Sequence, residues 1–283
     1  MMDILGYPAY ELLPFALYLL LLLFLSFSPK DKDKPAESSL LIQAFILLAL
    51  LVHGMQLHDS VFTSQGFVFG FAQDLSLIAW VGLAFYWFQS WFLPIASLRW
   101  LSVLFAFICS LLPSLFPGIL ISPRAVADPW FKGHFIVATI SAGLLGLAAM
   151  HAMLMSIQDR ALHRQLAITP NSRVAHWLED LPPLMTMESI LFNLLYVGFT
   201  LLSLTVFSGL LFSQTLFGKP LVFDHKTIFA LISWLLFAGL LLARWRVGLR
   251  GRAAIRLVLS AYFVLLLAYA GSRFVLEVIL QRA

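Results

Sequence analysis

Seven histidines are the main chemical resource of this 283-residue chain, and their positions decide what they could do. Imidazole is the usual axial ligand of haem iron and suits several transition metals. His53 and His58 lie toward one end of the second apolar run, His134 opens the fifth, and His225 opens the seventh. All four therefore fall at or near one face of a layered structure. His151 follows His134 by 17 residues in the same run, roughly 25 Å at 1.5 Å per helical residue, which is too far to share one small site. It reads as a helix–helix contact. His163 and His176 stand beside arginines and read as a solvated polar face.

The other ionisable residues offer less. Asp74 and Asp224 each precede an apolar run, where an aspartate serves as a helix N-cap. Arg273 and Glu277 are spaced for a local ion pair on one helix. No Ser-His-Asp elbow, glycine-rich phosphate loop or H-E-x-x-H pattern is present, so nothing points to hydrolysis or nucleotide chemistry. Cys109 is the single cysteine, which excludes a disulfide framework, a zinc ribbon and covalent haem attachment through C-x-x-C-H. The expectation is a protein that is not an enzyme.

The elements that must position these groups follow from composition. The chain is 61% hydrophobic and 11% charged, against about 25% charged in soluble domains. A β-barrel would alternate over segments of about 10 residues, whereas these apolar runs are unbroken and longer. Helices remain as the only spanning structure, and the fold class expected is an all-α polytopic membrane bundle. Eight spans are expected at residues 8–27, 40–57, 74–92, 96–112, 133–155, 188–212, 226–243 and 255–276. The fourth is the shortest and is expected to end at Pro113. The first has its lysines after it and no A-x-A site, so it reads as a retained helix rather than a signal peptide. Trp80, Trp87, Trp91, Trp100, Trp130 and Trp234 lie near proposed span ends, as interfacial anchors do.

Charge orients the bundle. Alternate connecting segments hold Lys30, Lys32, Lys34, Arg99, Arg160, Arg164, Arg173, Arg244, Arg246, Arg250, Arg252 and Arg256, which is 12 of the 18 basic residues. By the positive-inside rule these face the cytoplasm, and both termini are extracytoplasmic. The net charge of +4 is accounted for by that placement and does not indicate nucleic acid. Three longer outward loops are expected at residues 58–73, 113–132 and 213–225. The longest cytoplasmic loop, residues 156–187, is a candidate contact for a membrane or cytoplasmic protein partner.

The segment Phe217-Gly218-Lys219-Pro220-Leu221-Val222-Phe223-Asp224-His225-Lys226-Thr227-Ile228-Phe229-Ala230-Leu231-Ile232-Ser233-Trp234 resembles a tryptophan-rich haem-handling motif, W-G-x-x-W-x-W-D-P-K-E-x-W-x-x-I-x-W. Gly218, Asp224, Lys226, Ile232 and Trp234 match it without gaps. Phe217, Phe223 and Phe229 replace tryptophans, Leu221 replaces another, and His225 replaces the proline. The motif belongs to the cytochrome c assembly proteins of the CcsA/CcmC type. Gly248-Leu249-Arg250-Gly251-Arg252 resembles the basic turn after the next helix of that family, and Leu181-Pro182, Gly198-Phe199 and Gly209 resemble the stretch before the motif. The degenerate motif is most similar to that of the HemX-like members. Within the family pattern His134 stands at the first external haem-ligating histidine. The membrane-embedded histidine falls at Leu242, and the second external one near Leu280.

The resemblance implies a division into two N-terminal helices, residues 1–69, and an assembly-like domain, residues 70–283. It also implies a bacterial inner-membrane protein that binds or handles non-covalent haem. His134 is the first axial candidate and His225 the second. His53 and His58 are reserves, Asp224 and Trp234 belong to the motif, and Lys132, Lys219 and Lys226 are cations for the propionates. The alternative is a scaffold or regulator, for example of haem biosynthesis, that kept the frame and lost haem.

Overall fold

In a bilayer every backbone N–H and C=O must be satisfied within the protein, so each long apolar run closes its bonds as a helix. The computed structural model describes residues 2–3, 7–27, 35–63, 66–93, 95–121, 127–164, 181–217 and 225–280. Among these residues the eight expected runs all become helices. They are α1 Leu13–Phe27, α2 Pro35–Val61, α3 Phe71–Gln89, α4 Arg99–Leu115, α5 Pro129–Arg164, α6 Leu184–Phe217, α7 His225–Val247 and α8, which begins at Gly251. Helix α8 continues from its α-helical part, Gly251–Leu266, through π turns at Leu267–Gly271 and Val275–Ile279. Six helices are long and apolar enough to cross a membrane, while α1 and α4 are shorter apolar helices. The protein is a multi-pass membrane protein.

Helix α4 runs through Pro113 rather than stopping before it. The proline lies in the last turn, where few intrahelical bonds remain to be broken. One turn earlier the Ser110 carbonyl takes a hydrogen bond from Gln56 Nε2 of α2 at 3.0 Å, which ties the end of α4 to α2.

Neighbouring helices alternate in direction. At one end Arg244 of α7 bonds Glu188 of α6 at 2.7 Å, and Arg252 of α8 bonds Asp159 of α5 at 2.5 Å. This is the basic end. At the far end the start of α3 meets the end of α8, and the start of α5 meets the end of α6. The turn from α7 to α8 is closed by Gly248, whose φ of +66° only glycine adopts freely. Gly248 N–H returns to the Arg244 carbonyl at 3.1 Å, the bond of an αL-type ending, and Leu249 N–H reaches the Ala243 carbonyl at 3.3 Å.

The interior is built on close approach. Gly143 of α5 lies against Val81 and Gly82 of α3, and a Cβ there would come within 2.5 Å of Val81. Gly198 of α6 sits likewise against Leu145, and Ser141 Oγ donates to the Gly198 carbonyl at 3.0 Å. Small residues let helices pack where no water drives them together. Tyr18 and Leu21 of α1 and Ile46 of α2 share one buried core with α5, α6 and α8. Large apolar side chains such as Leu20, Met55, Leu211 and Phe263 face outward instead, as a lipid environment allows.

A small sheet was not expected. Strands Phe62–Thr63, Gly66–Phe69 and Ile119–Leu120 pair antiparallel across the two loops at the far end, with Phe62 opposite Phe67 and Val68 opposite Leu120. Phe67 and Phe69 pack edge-on against Phe135 of α5 at 6.0 and 5.0 Å. The alternation Phe67, Phe69, Phe71 is the period of two that carried the signal.

Candidate functional site

Helix α5 starts where the sequence Asp128-Pro129-Trp130 dictates. The Asp128 carboxylate accepts from the Trp130 N–H at 2.8 Å, and Pro129 occupies the first helical position, where its missing N–H costs nothing. His134 follows just over one turn later, half-buried, facing α6. Its Nδ1 lies 2.8 Å from Ser208 Oγ. Ser208 in turn donates its single hydroxyl proton to the Thr205 carbonyl at 3.0 Å. With the serine proton so placed, its oxygen accepts from Nδ1–H, and the lone pair of the neutral ring then lies on Nε2. Gly209 gives the ring room, since a Cβ there would stand 3.4 Å from His134 Cε1.

His225, the first residue of α7, is exposed. Lys226 beside it acts electrostatically on both His134 and Asp74, and its ammonium lies 5.9 Å from the centre of the Tyr269 ring. Asp224 lies outside the described residues, as do the neighbouring motif positions 218–223. Trp234, two and a half turns into α7, donates Nε1–H to Ser203 Oγ at 2.9 Å and stacks on Phe199 at 5.8 Å. It is thus an interhelical donor rather than an interfacial anchor. Trp80 and Trp87 behave in the same way toward the Leu50 and Gln43 carbonyls of α2. An indole N–H in lipid surroundings needs an acceptor, and the neighbouring helix supplies it.

The reserve histidines are placed differently. His53 is fully buried, with Nδ1 3.1 Å from Tyr18 Oη and Nε2 2.8 Å from Ser76 Oγ, so both ring nitrogens are engaged. His58 is exposed and pairs with Asp59 at 3.1 Å. His151 is the expected helix–helix contact, its Nε2 donating to the Met187 carbonyl of α6 at 3.0 Å. The side chains of His163 and His176 lie outside the described residues.

A second polar cluster, unforeseen in its arrangement, lies where α3 begins. Asp74 was read as an N-cap, but Gly70 holds that position without a side-chain cap, and Asp74 is buried inside the first turn. The capping carboxylate comes from α8. Glu277 Oε2 accepts from Phe71 N–H at 3.2 Å, while Arg273 donates to the Phe69 carbonyl at 3.0 Å. The Arg273–Glu277 pair is 4.0 Å apart, so the two form a clamp on α3 more than a bond to each other. Gly70 and Gly118 make room for it, since a Cβ on Gly118 would fall 2.8 Å from the Gly70 nitrogen. The π turns on either side of Arg273 mark the same spot, and such bulges are frequent at functional sites. No sequence pattern singles out Ser208 or this clamp.

The family model for cytochrome c assembly protein matches residues 8–280. An uncharacterised 28.8 kDa protein of Azospirillum brasilense is 38% identical over 153 residues, 53% of each chain. The inner membrane protein YpjD of Escherichia coli K12 is 29% identical over 154 residues, 54% of each chain. The cytochrome c biogenesis protein CcsA of Trichormus variabilis is 32% identical over 111 residues, 38% of this chain and 32% of that one. The chain spans about half the length of the first two of these curated relatives and a third of the last. With a match running from before α1 to the end of α8, this multi-pass helical bundle belongs to the cytochrome c assembly family.

Proposed function

We propose that the protein binds haem at the far end of the bundle, which the charge distribution turns outward from a bacterial inner membrane, and presents it to another protein without transforming it. The observation that carries this reading is His134 near the start of α5, held through Nδ1 at 2.8 Å from Ser208 Oγ. An imidazole whose Nδ1–H is held by a neighbour is oriented to ligate a metal through Nε2. The donor set suits haem in particular. Among the described residues no three His, Cys, Asp or Glu side chains converge as a metal site. Haem iron needs only one or two protein donors, because the porphyrin fills its equatorial positions.

His134 is the axial ligand in this reading, and His225 is the second candidate from the start of α7. Lys226 and Arg273 are the cations for the propionates, replacing part of the lysine set expected from sequence. Trp234, Phe199 and Phe207 form apolar wall deeper between α6 and α7. The bound group would supply a porphyrin iron that a partner protein could receive at that face. The relatives lend support in kind, since one of them carries the name of a cytochrome c biogenesis protein.

The test is the absorption spectrum of purified protein titrated with haem, oxidised and reduced. Wild type should give a histidine-ligated Soret band, His134→Ala should lose it, and His225→Ala should shift the band toward a five-coordinate form. A wild-type spectrum indistinguishable from free haem, or an unchanged one in His134→Ala, overturns the reading and leaves the scaffold or regulator in its place.

A further inference from the structure

We propose that the basic end carries a separate binding site for a phosphate-bearing anion, in a groove between the end of α5 and the start of α8. The groove has a volume of about 370 Å³ and is lined by Ser156, Asp159 and Arg160 of α5 and by Arg252, Ile255 and Arg256 of α8. Each helix contributes positions i, i+3 and i+4, so one face of each is turned into the same space.

The charges do not cancel there. Asp159 is bonded to Arg252, but among the described residues Arg160 and Arg256 have no acidic partner. Elsewhere at this end Arg244 and Arg250 share Glu188 at 2.7 and 3.5 Å. Arg252 and Arg256 stand i,i+4 on one face, a spacing at which like charges repel. Among the described lining residues three guanidiniums stand against one carboxylate. A planar fork of donors matches phosphate oxygens bidentately, which makes a phosphate the fitting counter-charge.

The surface beyond the groove selects a source. Further along the arginine face of α8, Ser260 and then Phe263 are exposed, and Phe263 is 62% exposed to the space that lipid occupies. On α5 the exposed Ile157 and Met153 run beside the groove. A headgroup among the arginines would continue into acyl chain along these apolar side chains, so an anionic phospholipid of the surrounding leaflet fits both parts. The positive-inside count places that leaflet at the cytoplasm, where basic pockets between helices meet anionic headgroups.

The experiment uses the whole protein in detergent, with Arg160→Gln/Arg256→Gln as the test variant and Arg246→Gln, an exposed arginine outside the groove, as the control. Native mass spectrometry reads retention of phosphatidylglycerol against phosphatidylcholine, and calorimetry reads binding of inorganic phosphate. Wild type and the control should retain phosphatidylglycerol preferentially, and the double variant should lose about fivefold of that preference per arginine. Arginine-dependent binding of inorganic phosphate without lipid preference would keep the anion site and assign it to a soluble phosphate compound. Where the glutamine variant fails to fold by circular dichroism, Arg160→Lys/Arg256→Lys keeps the charge and removes the fork, and it should weaken the preference. Equal retention of both lipids and no phosphate binding by wild type, or a preference that survives in the variants, overturns the proposal.

Discussion

His53 and His134 each tie helices together in the far half of the bundle, but their hydrogen bonds are divided differently. His53 is locked between Tyr18 of α1 and Ser76 of α3 with both nitrogens engaged. Among the described residues His134 is held through Nδ1, by a serine that also reaches a carbonyl of its own helix. Burial by itself does not make a ligand. The closed histidine is the more deeply buried of the two, and the half-open one stands where α5 and α6 leave the membrane interior. The difference is between an imidazole joined to two other helices and one joined to a single neighbour.

Exchanging the roles of the two histidines gives the largest expected effects. His53→Ala leaves the Tyr18 and Ser76 hydroxyls buried beside a cavity and should cost about 2–4 kcal/mol, read as a lower thermal unfolding midpoint in detergent. It should leave the haem titration unchanged, whereas His134→Ala should abolish the Soret band and move the midpoint little. A His53→Ala protein that loses haem while remaining folded would break the distinction. Ser208→Ala sharpens it, because removing the acceptor that fixes the His134 ring should weaken haem binding about 10–100-fold, as loss of an outer partner does at other metal-ligating histidines. Ser203→Ala, which takes the acceptor from Trp234 instead, should leave haem affinity as it was.

The clamp on α3 comes next in size. Gly118→Ala forces a methyl against the Gly70 backbone and should destabilise by about 1–3 kcal/mol in the same unfolding assay. The smallest effect belongs to Trp234→Phe, which keeps the stacking on Phe199 and loses one hydrogen bond, worth about 1 kcal/mol. A larger loss there, with loss of haem, would move Trp234 from wall to ligand contact.

Much of the frame was legible because hydropathy acts locally. An unbroken apolar run must satisfy its own backbone whatever its neighbours do, so eight runs read as eight helices. The place of His134 near a helix start was legible too, as a histidine opening an apolar run after Asp-Pro-Trp. The helix passes the proline at position 113 because only its last turn follows, and how much helix follows is not a local property. The tryptophans misled for a related reason. Trp80 and Trp234 share the composition of interfacial anchors, and only their neighbours reveal the acceptors that bring them inward.

The sequence by itself determined that this chain crosses a membrane repeatedly, with its basic residues gathered toward one side, because solvation of backbone and charge is decided residue by residue. Tertiary structure decided what each histidine meets, since Tyr18 and Ser76 reach His53 from other helices and Ser208 reaches His134. It also decided that Glu277 of the last helix caps the third, and that arginines far apart in sequence share one groove. Hydrogen-bond partners and like-charge encounters between helices are properties of distance in space, and no local pattern records them.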